Sequence, residues 1–167
     1  MASEIRGSDN FDSSEVGKVL QVVSTTSATG FTTTATSLTN TGVELAITPT
    51  LSTSKILVLI TTSIGGTPSS NPAVGIRRDS TDIALGTAGG SRRAATGSIL
   101  AASSTHSTIS IGLSHLDAPA TTALTTYRIT LSARSGYTVS INRSSSDADA
   151  IYVVRPVTTI TLMEIGA

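Results

Sequence analysis

The chain has 167 residues, a formal net charge of zero and no cysteine, and 38% of it is hydrophobic, 13% charged and 3% aromatic. That length suits one domain with a single core. Disulfides and thiolate metal sites are excluded, and the clustered positive footprint of a nucleic-acid binder is missing. Ser and Thr make up roughly a third of the residues and charge is about half its usual share, so the surface is neutral and hydroxyl-rich.

Residues 1–16 read as an N-terminal arm: polar, aperiodic, and carrying Glu4, Asp9, Asp12 and Glu15 without the apolar stretch of a secretory signal. From residue 17 to 167 the texture is constant, with short apolar or alternating runs between Gly, Pro, Asn, Asp and Ser clusters, as in an all-β domain. Residues 18–25 open it with Val19, Leu20, Val22 and Val23. A Thr-rich β-branched strand is expected over 31–38, and 43–48 alternates Val43, Leu45 and Ile47 with polar partners until Pro49 ends it.

Residues 55–64 form the most hydrophobic strand, with Ile56, Val58 and Ile60 on one face and Leu57 and Leu59 on the other. Such a strand is covered twice, or it is core on one side and subunit interface on the other. Its run of apolar residues is too short to span a bilayer. Residues 75–85 read as a hairpin turning at Asp79-Ser80-Thr81-Asp82, and 86–97 as a Gly- and Ser-rich surface loop.

In the second half Ile109, Ile111 and Leu113 are expected to face in. Tyr127, Ile129, Leu131 and Ala133 form the next inward row, followed by Tyr137, Val139 and Ile141 after a Ser135-Gly136 turn. The last strand covers 157–165, with Ile160 and Leu162 opposite Met163 and Ile165. No segment has helical period with caps, so eight to ten strands in a sandwich, jelly roll or barrel are expected, with helix minimal. Few lysines guard the sheet edges, so burial of edges in an oligomer is one solution.

Several segments resemble, in order, a domain frequent in tail-fibre and appendage proteins of cyanophages and other marine phages. They are Gly17-Lys18-Val19-Leu20-Gln21-Val22-Val23, Ile47-Thr48-Pro49, Ser54-Lys55-Ile56-Leu57-Val58-Leu59, Arg78-Asp79-Ser80-Thr81-Asp82-Ile83, Ser114-His115-Leu116-Asp117-Ala118-Pro119, Ile141-Asn142-Arg143-Ser144 and Thr159-Ile160-Thr161-Leu162-Met163-Glu164-Ile165. Met1 to Arg6 also resembles the start of phage fibre proteins. The resemblance implies a jelly-roll-like antiparallel β-sandwich that forms a homotrimeric knob. The departure is length: family members carry the domain at the end of a long shaft, and here a short arm precedes it.

No catalytic constellation stands out. His115 and Asp117 lie close in sequence, but no Gly-x-Ser-x-Gly elbow accompanies them. The acidic pairs Asp79 with Asp82 and Asp147 with Asp149 sit in turn-like sequence, where Asp serves backbone hydrogen bonding. The loop from Ser144 to Asp149 offers oxygen ligands without EF-hand spacing. Gly86-Thr87-Ala88-Gly89-Gly90-Ser91-Arg92-Arg93 lacks the Lys and Ser/Thr of a phosphate loop. Arg77-Arg78 and Arg92-Arg93 are candidates for inter-subunit ion pairs with the acidic turns.

The expectation is therefore a non-enzymatic virion structural protein with no cofactor and no metal, made in the host cytoplasm and exposed on the particle exterior. The arm would dock on other virion proteins, and the knob would contact a host-surface glycan, with no nucleic acid and no membrane insertion. A sugar site needs an aromatic platform beside Asn, Asp and Arg donors and acceptors; Asn142, Arg143, Asp147, Asp149 and Tyr152 are the residues singled out for it. Capsid decoration, as a head-stabilising cement protein, and a free-standing carbohydrate-binding module are the two alternatives.

Overall fold

The computed structural model describes residues 17–99 and 104–166; the arm expected over residues 1–16 lies outside them. Eleven strands and no helix occur among the described residues: β1 (Val19–Ser27), β2 (Phe31–Thr33), β3 (Thr39–Ile47), β4 (Lys55–Gly66), β5 (Ala73–Arg78), β6 (Thr81–Ile83), β7 (Gly97–Ser98), β8 (Thr108–Asp117), β9 (Thr125–Ser132), β10 (Val139–Ile141) and β11 (Thr158–Ile165). They form two antiparallel sheets packed together as a β-sandwich. In the first sheet the order is β1-β11-β4-β8, with β10 beside the last residues of β4 and β2 beyond it. In the second it is β3-β9-β5-β6, with the short β7 against the start of β5.

Alternation decides what is buried. Ile56, Val58, Ile60 and Ile64 of β4, Ile160 and Leu162 of β11, and Tyr127, Ile129 and Leu131 of β9 meet between the sheets with essentially no exposure. Each such side chain removed from water contributes about 1.5–3 kcal/mol before the entropy of ordering is set against it. The opposite face of β4 is not covered. Leu59 is exposed, and Leu57 stands in register with Met163 on one side and Leu116 on the other, while Met163 pairs across with Val22. An apolar row Val22–Met163–Leu57–Leu116 thus crosses the outside of four strands.

The strand expected over residues 31–38 stops at Thr33. The Thr33 hydroxyl accepts from the Ala35 amide at 3.0 Å, and Ala35 turns its carbonyl to the Ala133 amide at 2.7 Å. β3 starts four residues earlier than the alternation alone suggested, because Gly42, at φ +81°, absorbs a register shift between Asn40 and Glu44. Of the apolar row expected to face in on β8 only Leu113 is buried; Ile111 is half-buried and Ile109 exposed. β8 pairs with β4 alone among the described strands, so part of its inward row overhangs the core.

The ladders sort the loops to two ends. The Gly17 amide donates to the Gly166 carbonyl at 2.6 Å, and the Gly166 amide donates to Lys18 at 2.9 Å, so the described chain enters and leaves side by side. The loops 48–54, 79–80 and 118–124 share that end. At the opposite end lie 28–30, 67–72, 84–96, 133–138 and 142–157, which include the longest connections described.

Candidate functional site

The loop 142–157, between β10 and β11 at the end remote from Gly17, holds all five residues singled out for sugar binding. Asn142 is 1% exposed. Its amide nitrogen donates to the carbonyls of Ser27 (2.9 Å) and Thr29 (3.1 Å), and its oxygen accepts from the Thr158 hydroxyl at 2.7 Å. With φ at +59°, a conformation Asn tolerates better than most residues, it fastens the β1–β2 turn to β11. All of its described bonds are internal, so Asn142 shapes the loop from beneath.

Above it Asp147 sits between two arginines. Arg155 grips the carboxylate with two bonds, Nε to Oδ1 at 2.9 Å and Nη2 to Oδ2 at 2.7 Å, while Arg143 Nη2 lies 3.4 Å from Oδ2. The hydrogen bond from Arg155, helped by the charge of Arg143, holds the Asp147 carboxyl below its ordinary value despite partial desolvation. The Asp147 amide in turn donates to the Ser144 hydroxyl at 3.1 Å. Arg143 lays its aliphatic stem against Gly30, where an added Cβ would stand 3.0 Å from Arg143 Cδ.

Asn142, Arg143 and Asp147 border one small cavity of about 170 Å³, and Asp147 and Asp149 border a second of about 420 Å³. Asp149 is exposed. Tyr152 lines neither cavity; its exposed ring stands edge-on to His106, with centroids 5.2 Å apart. So the structure brings Arg143 and Asp147 into direct contact, sets Asp149 at the rim, and leaves Tyr152 to one side. Arg155, the principal partner of Asp147, was not singled out by the sequence. Neither were Ile151, Val154 and Val157, all exposed next to Tyr152. The available signal was the apolar run Ile151-Tyr152-Val153-Val154, which follows an acidic loop and does not alternate.

Chemically, this end of the molecule offers fixed guanidinium and carboxylate groups, one exposed ring and a cuff of apolar side chains. That combination suits adhesion to a polar ligand with an apolar face. Among the described residues no group of three or more His, Cys, Asp or Glu side chains could hold a metal ion.

The other acidic side chains are occupied within the chain. Arg77 pairs with Asp82 of its own hairpin at 2.8 Å, where expectation had placed inter-subunit pairs. Arg78 pairs with Asp117 at 2.8 Å, which also answers for the Asp117 near His115. Arg128 pairs with Glu44 across β9 and β3. Glu164 is buried at the end of β11 and accepts from Gln21, from the Thr50 amide and hydroxyl, and from the Leu51 amide. Compared with known proteins, the chain matches no family model and no curated sequence.

Proposed function

We propose that this chain is a structural module of a bacteriophage particle: a jelly-roll knob that assembles as a homotrimer, is held through its N-terminal arm and turns its remote loops toward a host-surface glycan. The observation that carries the reading is the division of labour between the two ends. The arm joins the fold where Gly17 meets Gly166, and the long loops with their arginines and exposed apolar side chains occupy the other end. A knob needs that polarity to be tethered at one end and to touch a surface with the other.

Two further features support it. Leaving aside the short β2, β7 and β10, the eight remaining strands interleave as first-eighth-third-sixth in one sheet and second-seventh-fourth-fifth in the other, an order that supports the jelly-roll reading. The row Val22–Met163–Leu57–Leu116 and its hydroxyl-bearing neighbours Ser24, Thr161 and Ser114 give the first sheet an outer face with few charges, suited to a like face of another subunit.

Cryo-electron microscopy of the assembled particle tests the reading. Density for the sandwich at a tail or appendage tip, loops outward, is the expected result. Density at lattice axes on the head shell would replace attachment by capsid decoration, and absence from the particle would leave a free carbohydrate-binding module.

A further inference from the structure

The described arginines divide into two sets. Arg77, Arg78, Arg128, Arg143 and Arg155 each lie within ion-pair distance of a carboxylate. Arg92, Arg93 and Arg134 have none among the described residues, and all three belong to the loop end. The neutral formal charge of the chain hides this segregation. The loops at that end carry five arginines (Arg92, Arg93, Arg134, Arg143, Arg155) against Asp147 and Asp149, whereas residues 1–16 carry four acids against Arg6.

Arg93 is held firmly by neutral acceptors. Its Nη1 donates to the Ser132 hydroxyl and the Ala133 carbonyl, both at 2.9 Å, and its Nη2 donates to the Asn71 carbonyl at 2.6 Å. Arg92 folds back over a tight turn, with Nε donating to the Gly89 carbonyl at 3.0 Å. Gly90 takes φ +58° there, and a Cβ on Gly89 would stand 2.9 Å from Arg92 Nη2. The two glycines thus permit the turn that lays the guanidinium down. These bonds fix both side chains without cancelling either charge.

Both arginines border an open cavity of about 660 Å³ between the 86–99 segment and the start of β5, together with Asn71, Thr87, Ser91 and Ser98. That volume falls in the range of small-ligand sites. Among the described residues no carboxylate borders it, so none of them competes there for the arginines. Hydroxyls and an amide supply donors and acceptors for a hydroxylated ligand, and Ile99 supplies an apolar wall.

We propose that this cavity binds an acidic saccharide, with Arg92 and Arg93 taking its carboxylate or sulfate. Forked guanidinium groups match such oxyanions, and charge-assisted bonds are stronger than neutral ones. The proposal rests on the attachment reading for its biological setting and adds a ligand class and a site separate from the 142–157 loop.

The test is a titration of the full-length protein with glucuronic acid, glucose 6-sulfate, glucose and inorganic sulfate, followed by backbone amide shifts. Saturable shifts at residues 71–73 and 86–99 are expected with one or both charged sugars and not with glucose; which of the two binds tells carboxylate from sulfate. Arg92→Ala, which removes one exposed side chain bonded only to Gly89, should weaken that binding about tenfold with the rest of the spectrum unchanged. Arg93→Lys keeps the charge but loses the fork, and should weaken it as well.

Equal binding of glucose, no saturable shift with either charged sugar, or unchanged affinity in both variants would overturn the proposal. Inorganic sulfate matching the sugars would also overturn it, by reducing the site to an anion cradle. A glycan whose shifts map to 142–157 and ignore Arg92→Ala would defeat this site and leave attachment standing. A sugar-loaded cavity on a chain found in the head lattice would do the reverse.

Discussion

The Tyr127 hydroxyl donates to Asp117 Oδ2 at 2.7 Å, joining β9 of one sheet to the end of β8 in the other. Arg78 Nη1 reaches both oxygens of the same carboxylate, at 3.0 and 2.8 Å. A carboxylate that is 7% exposed is thus matched by one neutral and one charged donor, and the two sheets are locked at the end where the chain enters. Burial, with the hydrogen bond to Asp117 added, pushes the Tyr127 hydroxyl above its ordinary value, which favours the protonated donor form.

Removing one donor or the acceptor should therefore have different costs. Tyr127→Phe keeps the packed ring and leaves Arg78 on Asp117, so a loss of about 1–2 kcal/mol is expected in urea unfolding. Asp117→Ala strands both donors and should cost about 3 kcal/mol or more. Equal losses for the two variants would show that the ring, rather than the network, holds this end.

Glu164 gives the fold a defined acid sensitivity. Burial alone would raise its carboxyl, but the hydrogen bonds donated by Gln21 and Thr50 outweigh burial and set it at about 2, against an ordinary 4.5. A carboxyl whose folded value is depressed stabilises the fold fully above its unfolded value, and that contribution drains away as pH falls from about 4.5 toward 2. It amounts to on the order of 3 kcal/mol. Glu164→Gln should be less stable than the parent at pH 7 and lose less on going to pH 2.5, as followed by thermal melts. Parallel losses in both proteins would place the acid sensitivity elsewhere.

Gly65 positions the 142–157 loop from below. A Cβ at this point of β4 would overlap the Arg143 carbonyl and crowd Ser140 Oγ at 2.8 Å and Ser144 Cα at 2.9 Å. Gly65→Ala should therefore cost about 1–3 kcal/mol. It should also shift the amides of residues 142–149 while leaving those of 48–54 at the far end untouched. A spectrum unchanged around Arg143 would mean that the loop is not seated on this strand.

The inward rows were legible in the sequence, because those on β4, β9 and β11 are written at every second residue as Ile56-Val58-Ile60, Tyr127-Ile129-Leu131 and Ile160-Leu162. Less was legible wherever a polar side chain replaces a backbone partner. Thr33 cuts β2 short, and Asn142, which looked like a ligand for sugar, spends its described bonds on Ser27, Thr29 and Thr158. Glu164 continues the row of Ile160 and Leu162, but the donors that allow a carboxylate to be buried there lie far away in sequence. The separation of paired from unpaired arginines depends in the same way on which loops share an end, a property of topology that no local pattern carries.

The outer row of the first sheet supplies the last prediction. Leu116 is 48% exposed and Val22 53%, at the two margins of the row, with Met163 and Leu57 half-buried between them. Neither margin touches the core, so a charge there costs the subunit little, while a desolvated charge inside an interface costs several kcal/mol. Leu116→Asp and Val22→Asp should therefore melt within a few degrees of the parent as isolated subunits. If this face joins copies of the chain, both should fall from trimeric to monomeric mass in light scattering at micromolar concentration. A parent that is itself monomeric would remove the trimer from the proposed function, and a trimer indifferent to both substitutions would move the interface off this sheet.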